Sequence, residues 1–237
     1  MAITTVLFDL DGTLLPMDQE VFIKDYFGRL AKKLAPYDYE PKKLIEAVWA
    51  GTKAMVKNTG KKTNEAAFWE AFDKYFGYPA SKDASVHQDF YHNEFNAVKN
   101  VCGFDPMATR IVGWLKQKNI RLVLATNPLF PSVATENRIR WAGLDPQDFE
   151  YFTTFENSHY CKPNLDYYQE IMDKLHLKPE ECLMVGNDVQ EDAVAEQLGM
   201  KVFLLTDCLI NKAGEDISRY PHGGFLHLDT YLQSIIL

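Results

Sequence analysis

Two carboxylates, Asp9 and Asp11, follow an apolar run in the stretch "TVLFDLDGTLL", residues 5–15. If that run is a β-strand, residues two apart point to one side, and the two acids share a direction. Such a pair can divide labour, one acid attacking as a nucleophile while the other moves protons. Other reactive groups stand further along: Thr126 and Asn127 after "RLVLA", Lys162 before Pro163, and Asp188 and Asp192 after "CLMVGN". Four acids in one place repel and raise one another's pKa unless a cation sits among them. All-oxygen donors, with no histidine or thiolate, make Mg²⁺ the expected cation. Lys162 leads into an expected helix over 164–175 with Pro163 in its first turn, where the dipole disfavours a cation unless an anion is also bound. Metal, ammonium and attacking carboxylate together describe phosphoryl transfer, whose transition state spreads negative charge over oxygens.

These groups meet only if the chain carries them to one edge. The runs "RLVLAT" (121–126), "YFTTF" (151–155), "CLMVGN" (182–187) and "KVFLLT" (201–206) read as strands alternating with helices, which predicts βαβ units and a parallel sheet. "TVLFD" reads as a further strand of that sheet. Ligands of open α/β sheets bind beyond the carboxyl ends of the strands, where all the groups above fall. Between the first strand and the rest, apolar residues recur at helical spacing only. Phe22, Tyr26, Leu30 and Leu34 begin the pattern. Leu44, Val48, Met55 and Val56 follow, then Phe68, Phe72, Tyr75 and Phe76, then Val86, Phe90 and Phe95. The expected architecture is α/β: a Rossmann-like three-layer core from residues 1–16 and 103–237, interrupted by an all-helical block of about four helices over 17–102.

The motifs "DLDGT", "LATN", "CKPN" and "VGNDVQED" occur in this order from Asp9 to Asp192. The sequence resembles the haloacid dehalogenase superfamily phosphatases, and the helical block resembles their C1 cap. The resemblance implies that Asp9 forms an aspartyl-phosphate and that Asp11 is the general acid/base and lends a main-chain carbonyl to Mg²⁺. It further implies that Thr126 and Asn127 meet the phosphoryl group and that Lys162 neutralises nucleophile and phosphate. Asp188 would bind the metal, and Asp192 would support the metal or Lys162. Asn187 departs from the pattern, since many members carry an acid directly after the glycine. The implied function is Mg²⁺-dependent hydrolysis of a small phosphorylated metabolite. A phosphomutase using the same intermediate, or a non-catalytic phosphate-binding module, is the alternative. A dehalogenase is disfavoured because that chemistry would not use the second acid, Asp11.

Taken singly, each motif has a structural reading: Asp-Gly makes turns, Thr126-Asn127-Pro128 can be a turn, and Asp188 and Asp192 suit a helix start. Their ordered occurrence at strand ends carries the catalytic reading. The chain has 237 residues and a formal charge of −8, which repels nucleic acid and anionic membranes. No apolar run is long enough to span a bilayer and no leader is recognisable, so a cytoplasmic location is expected. The scattered Cys102, Cys161, Cys182 and Cys208 read as free thiols, and His87 and His92 miss the spacing of a helical metal pair. Lys53, Lys57, Lys61 and Lys62 read as a solvated face. Oligomeric state is not readable.

Overall fold

The computed structural model describes residues 2–236. Six parallel strands form one sheet in the order β3-β2-β1-β4-β5-β6. They are β1 (Thr5–Phe8), β2 (Arg121–Leu124), β3 (Tyr151–Phe152), β4 (Cys182–Gly186), β5 (Lys201–Leu205) and β6 (His222–Gly223). β1 lies at the centre, pairing Leu7 with Val123 of β2 and with Met184 of β4. Its side chains are buried on both faces, as in a parallel sheet covered on both sides. Val6 and Phe8 join one apolar cluster, and Leu7 joins the other. The first face is covered by α5 (Pro106–Gln117), α6 (Ser132–Trp141) and α8 (Phe225–Ile235), the second by α7 (Leu165–Leu175).

The chain between β1 and β2 is helical throughout: α1 (Gln19–Leu34), α2 (Pro41–Val56), α3 (Asn64–Phe76) and α4 (Ala84–His92), with intervening 3₁₀ turns. Each long helix begins on a capping oxygen: Asp18 for α1, Glu40 for α2 and Thr63 for α3. Phe22, Tyr26, Leu30 and Leu34 are the buried stripe of α1, as their spacing predicts, whereas Val56 and Tyr75 face solvent. One apolar cluster runs unbroken from the sheet into this insertion through Phe22, Phe95, Phe130 and Trp141. The two connections to the sheet are tied together: Met17 bridges Cys102, and Gly103 N–H donates to Pro16 O at 2.7 Å.

Three sequence expectations change in detail. β3 spans two residues because Asn157 turns its amide onto the chain, donating to Phe152 O at 3.0 Å and accepting from Thr154 N–H at 2.8 Å, in place of ladder partners. Pro163 precedes the cap of α7, which is Asn164, and so lies outside the helix. The segment after β4 winds as a 3₁₀ helix over Ala193–Leu198. No helix among the described residues is long and apolar enough to cross a membrane. All four cysteines are free.

His87 of α4 is buried among the rings of Tyr39, Trp69 and Phe72, at centroid distances of 6.3, 5.3 and 5.5 Å. Burial lowers its pKa to about 4. A folded pKa below the unfolded value means that stability is complete above about pH 6.5 and is lost as pH falls towards 4. Between pH 7 and 4.5 this group should remove about 2 kcal/mol of stability. Urea unfolding across that range should show a smaller acid loss in His87→Phe than in the native chain, and equal losses would reject the assignment.

Candidate active site

Asp9 directly follows β1, and its N–H still donates to Val185 O at 2.9 Å, so the sheet ladder fixes its backbone. Strand alternation does not place Asp11, because the strand has already ended at Phe8. A tight turn over Leu10–Leu15 does so instead, closed by Leu15 N–H on Leu10 O at 2.9 Å and Gly12 N–H on Leu15 O at 2.8 Å. Gly12 has φ +85°, and a Cβ there would sit 2.4 Å from Asn187 Nδ2, so both conformation and space require glycine. Asn187 is held by its neighbours: Oδ1 accepts from Thr13 Oγ1 at 2.9 Å, and Nδ2 donates to Cys208 O at 2.8 Å.

Beneath the turn lies a buried chain of charge. Lys162 Nζ donates to Asp9 Oδ1 at 2.9 Å and to Asp192 Oδ1 at 2.6 Å, with all three side chains almost fully buried. Burial alone would lower the lysine pKa, yet Asp192 and Asp9 hold it well above its ordinary value. Burial raises the pKa of Asp9 against the pull of Lys162, with Asp192 and Asp11 adding to the rise. The other oxygen of Asp192 accepts from Asp188 N–H at 2.9 Å. Asp192 reaches that position because residue 186 is glycine, where a Cβ would lie 2.0 Å from Asp192 Oδ2. Asp192 is therefore a partner of Lys162, with both oxygens engaged, which fits the lysine-supporting alternative better than the metal assignment.

A cavity of about 160 Å³ opens above this chain, lined by Asp9, Asp11, Thr126, Asn127, Asp188 and Asp192, with Phe22 and Ile23 of α1 opposite. Thr126 is pinned through its carbonyl, which accepts from Thr153 Oγ1 at 2.6 Å and Tyr167 OH at 2.8 Å. Asn127 Nδ2 donates to Glu191, and its Oδ1 is buried without a partner. Asp188 Oδ1 accepts from Gln190 and Glu191 N–H at 2.9 and 3.0 Å, a side-chain-closed turn that leaves Oδ2 without a hydrogen bond among the described residues. Lys162 does not line the cavity and reaches it through Asp9 and Asp192. Among the described residues no three His, Cys, Asp or Glu side chains converge as a ready-made metal cluster. None of Lys53, Lys57, Lys61 and Lys62 reaches this cavity, and all four are exposed.

The model of the haloacid dehalogenase-like hydrolases matches residues 3–199, which takes in every strand end just described except that of β5 and β6. The chain belongs to the haloacid dehalogenase-like hydrolases. The pyrophosphatase PpaX of Bacillus cereus (strain ATCC 10987 / NRS 248) is 24% identical over 213 residues, covering 90% of this chain and 88% of the relative. A HAD phosphatase from Thermococcus onnurineus superposes with a TM-score of 0.60 at 18% identity, covering 99% of this chain and all of that one. A 2-haloacid dehalogenase from Pseudomonas syringae pv. tomato DC3000 superposes with a TM-score of 0.64, also at 18% identity, over 98% of this chain and 99% of its own. At these identities the structures establish the shared fold.

Two residues of this haloacid dehalogenase-like hydrolase escape the motif reading. Arg138, with no exposed surface, donates through Nη1 to Asp11 Oδ2. Its guanidinium also lies 4.5 Å from the centroid of Phe130. The remaining oxygen of Asp11, Oδ1, is buried without a partner. Burial raises the Asp11 pKa, opposed by Arg138 and Lys162. A sequence signal existed: Arg138 falls on the same face of α6 as the buried Ala134 and Thr135, four and three residues earlier. Glu191 is the second, a carboxyl whose pKa burial raises to about 7, beside Asn127. Nothing in its spacing distinguishes it from a solvated helix acid.

Proposed function

We propose that this hydrolase is a phosphatase acting on small phosphate esters through an aspartyl-phosphate on Asp9. The observation that carries the reading is the buried Lys162 ammonium, fixed 2.9 Å from Asp9 Oδ1 and braced from behind by Asp192. An attacking carboxylate and an incoming phosphate are both anionic, and a fixed cation beneath them offsets their repulsion without reorganising. Asp9 Oδ2 attacks phosphorus, and the bond to the ester oxygen breaks. Asp11 gives its proton to that oxygen, then takes one from the water that attacks the acyl-phosphate, so both acids return to their starting forms. Burial raises the Asp11 pKa against the pull of Arg138 and Lys162, a shift in the direction that favours its protonated form.

The donor set fits a hard divalent cation. The Asp9 and Asp188 carboxylates with the Asp11 main-chain carbonyl would hold Mg²⁺, which would contribute Lewis-acid stabilisation of phosphoryl charge. Two carboxylates and one carbonyl accord with the lack of a three-side-chain cluster. The helical insertion would act as a cap that admits compact esters, since its residues Phe22 and Ile23 line the cavity together with the carboxylates.

A panel of small phosphate esters should release phosphate with Mg²⁺ and lose that activity in EDTA. Full turnover by a metal-stripped sample in EDTA would overturn the metal assignment, and hydrolysis of a folded phosphoprotein at a comparable rate would overturn the cap. Arg138 is a positioning residue in this scheme. Arg138→Met should move the pH–rate limb governed by Asp11 to higher pH, because the carboxylate loses the cation that lowers its pKa. An unmoved profile with reduced rate would leave Arg138 a merely structural role.

A further inference from the structure

Ile23, Leu129 and Phe130 line two adjoining cavities at once: the carboxylate cavity and a second, of about 150 Å³, reaching into the helical insertion. The second is walled by Phe27, Trp49, Phe68, Trp69, Tyr91 and Phe155. An apolar cavity of that order accepts a benzene-sized ring. Because it adjoins the carboxylate cavity, the part of a phosphate ester beyond the phosphoryl group would extend into it.

The charge of the lining is one-sided. Neither cavity has a lysine or arginine among its lining residues, whereas Glu65 and Glu156 both line the aromatic one. A leaving group bearing a carboxylate or a second phosphate would be desolvated there with no counter-charge, and would face two acids. One polar atom in the wall stands unpaired: His87 lines the cavity, is 5% exposed, and its Nε2 is buried without a hydrogen-bond partner. Buried polar atoms are nearly always paired, so an unpaired one in a cavity wall suits a ligand that pairs it.

Resting on the phosphatase reading above, we propose that the natural leaving group is a single-ring alcohol carrying no negative charge, seated in the aromatic cavity with a polar substituent in reach of His87. The insertion thereby selects for the ring and against anionic alcohols.

Benzyl phosphate, methyl phosphate, 2-phosphoglycolate and pyrophosphate, assayed for phosphate release, give the test. Benzyl phosphate should exceed the two anionic leaving groups by about tenfold or more in kcat/KM. Benzyl alcohol alone should quench the fluorescence of Trp49 and Trp69, a readout that needs no turnover. Ala84→Leu, which fills part of the cavity, should lower the benzyl-to-methyl phosphate ratio and weaken the quenching. Glu65→Lys should shift preference towards 2-phosphoglycolate by about tenfold. Preference of the native chain for 2-phosphoglycolate or pyrophosphate, or no quenching by benzyl alcohol, overturns the proposal. Quenching that Ala84→Leu removes, with no phosphate released from any ester, would instead reject the phosphatase reading and leave the ring site standing.

Discussion

Asp9→Asn should reduce phosphate release by about 10⁴-fold or more, the scale on which enzymes lose activity when an attacking group is removed. The amide is a poor nucleophile, and the acids nearest Asp9 are engaged elsewhere: Asp192 faces Lys162 and Asp188 N–H, and Asp11 faces Arg138. Asp11→Asn should lose less, about 10²–10⁴-fold, because it removes proton transfer and leaves the attack in place. The two variants also separate by leaving group. With 4-nitrophenyl phosphate, whose phenolate departs without help, the Asp11→Asn enzyme should still be phosphorylated in the first turnover, while Asp9→Asn should not be labelled at all. Acid-stable phosphate on Asp9→Asn would sink the assignment.

Lys162→Met should strike both stability and turnover. The methionine fills most of the stem's volume but leaves Asp9 and Asp192 buried without a counter-charge, and breaking a buried pair in this way costs about 3–5 kcal/mol. That is a large share of the roughly 5–15 kcal/mol by which domains are stable. The pH dependence gives the sign. Burial already raises the pKa of Asp9, and loss of the ammonium raises it further. A folded carboxyl with a raised pKa binds protons that the unfolded chain has released, so stability falls as pH rises from the ordinary carboxylate range through the raised value. The deficit of Lys162→Met should therefore be smaller near pH 5 than near pH 8 in chemical unfolding, and inorganic phosphate should no longer protect the variant. An equal deficit at both pH values, or normal turnover, would rule out a charge role for Lys162.

The sequence made the sheet readable because its strands are buried on both faces and therefore uninterrupted: Thr5–Phe8, Arg121–Leu124, Cys182–Gly186 and Lys201–Leu205 all stand where apolar runs predict them. β6, two residues at His222–Gly223, is too short to leave a pattern. The helical insertion was legible from its four-residue spacing, yet spacing could not say that Val56 and Tyr75 end up outside. At the site, the carboxylates stand out in the sequence because they follow apolar strand runs in ordered motifs, and Lys162 because its motif falls between them in that order. Arg138 was not, since its partner lies 127 positions away and only the packing of α6 on the turn brings them together. The placement of Asp11 rests likewise on the Gly12 turn and not on strand alternation.

The pinned pair of connections, Gly103 on Pro16 and Cys102 on Met17, means that the sheet meets the whole insertion as if it were a short hairpin. Closing a loop costs entropy that grows only slowly with length, and here the insertion's own folding already brings its ends together. Swapping it for an unrelated helical block with equally close ends would then leave the connectivity of the sheet undisturbed. The barrier to such recombination lies in surface matching, at Phe130 and Trp141, which the donor block would have to cover as Phe22 and Phe95 do. The sheet, with its carboxylates and lysine, is thus separable in connectivity from the block that roofs it, and an exchanged block would be held or rejected by how well it covers those two rings.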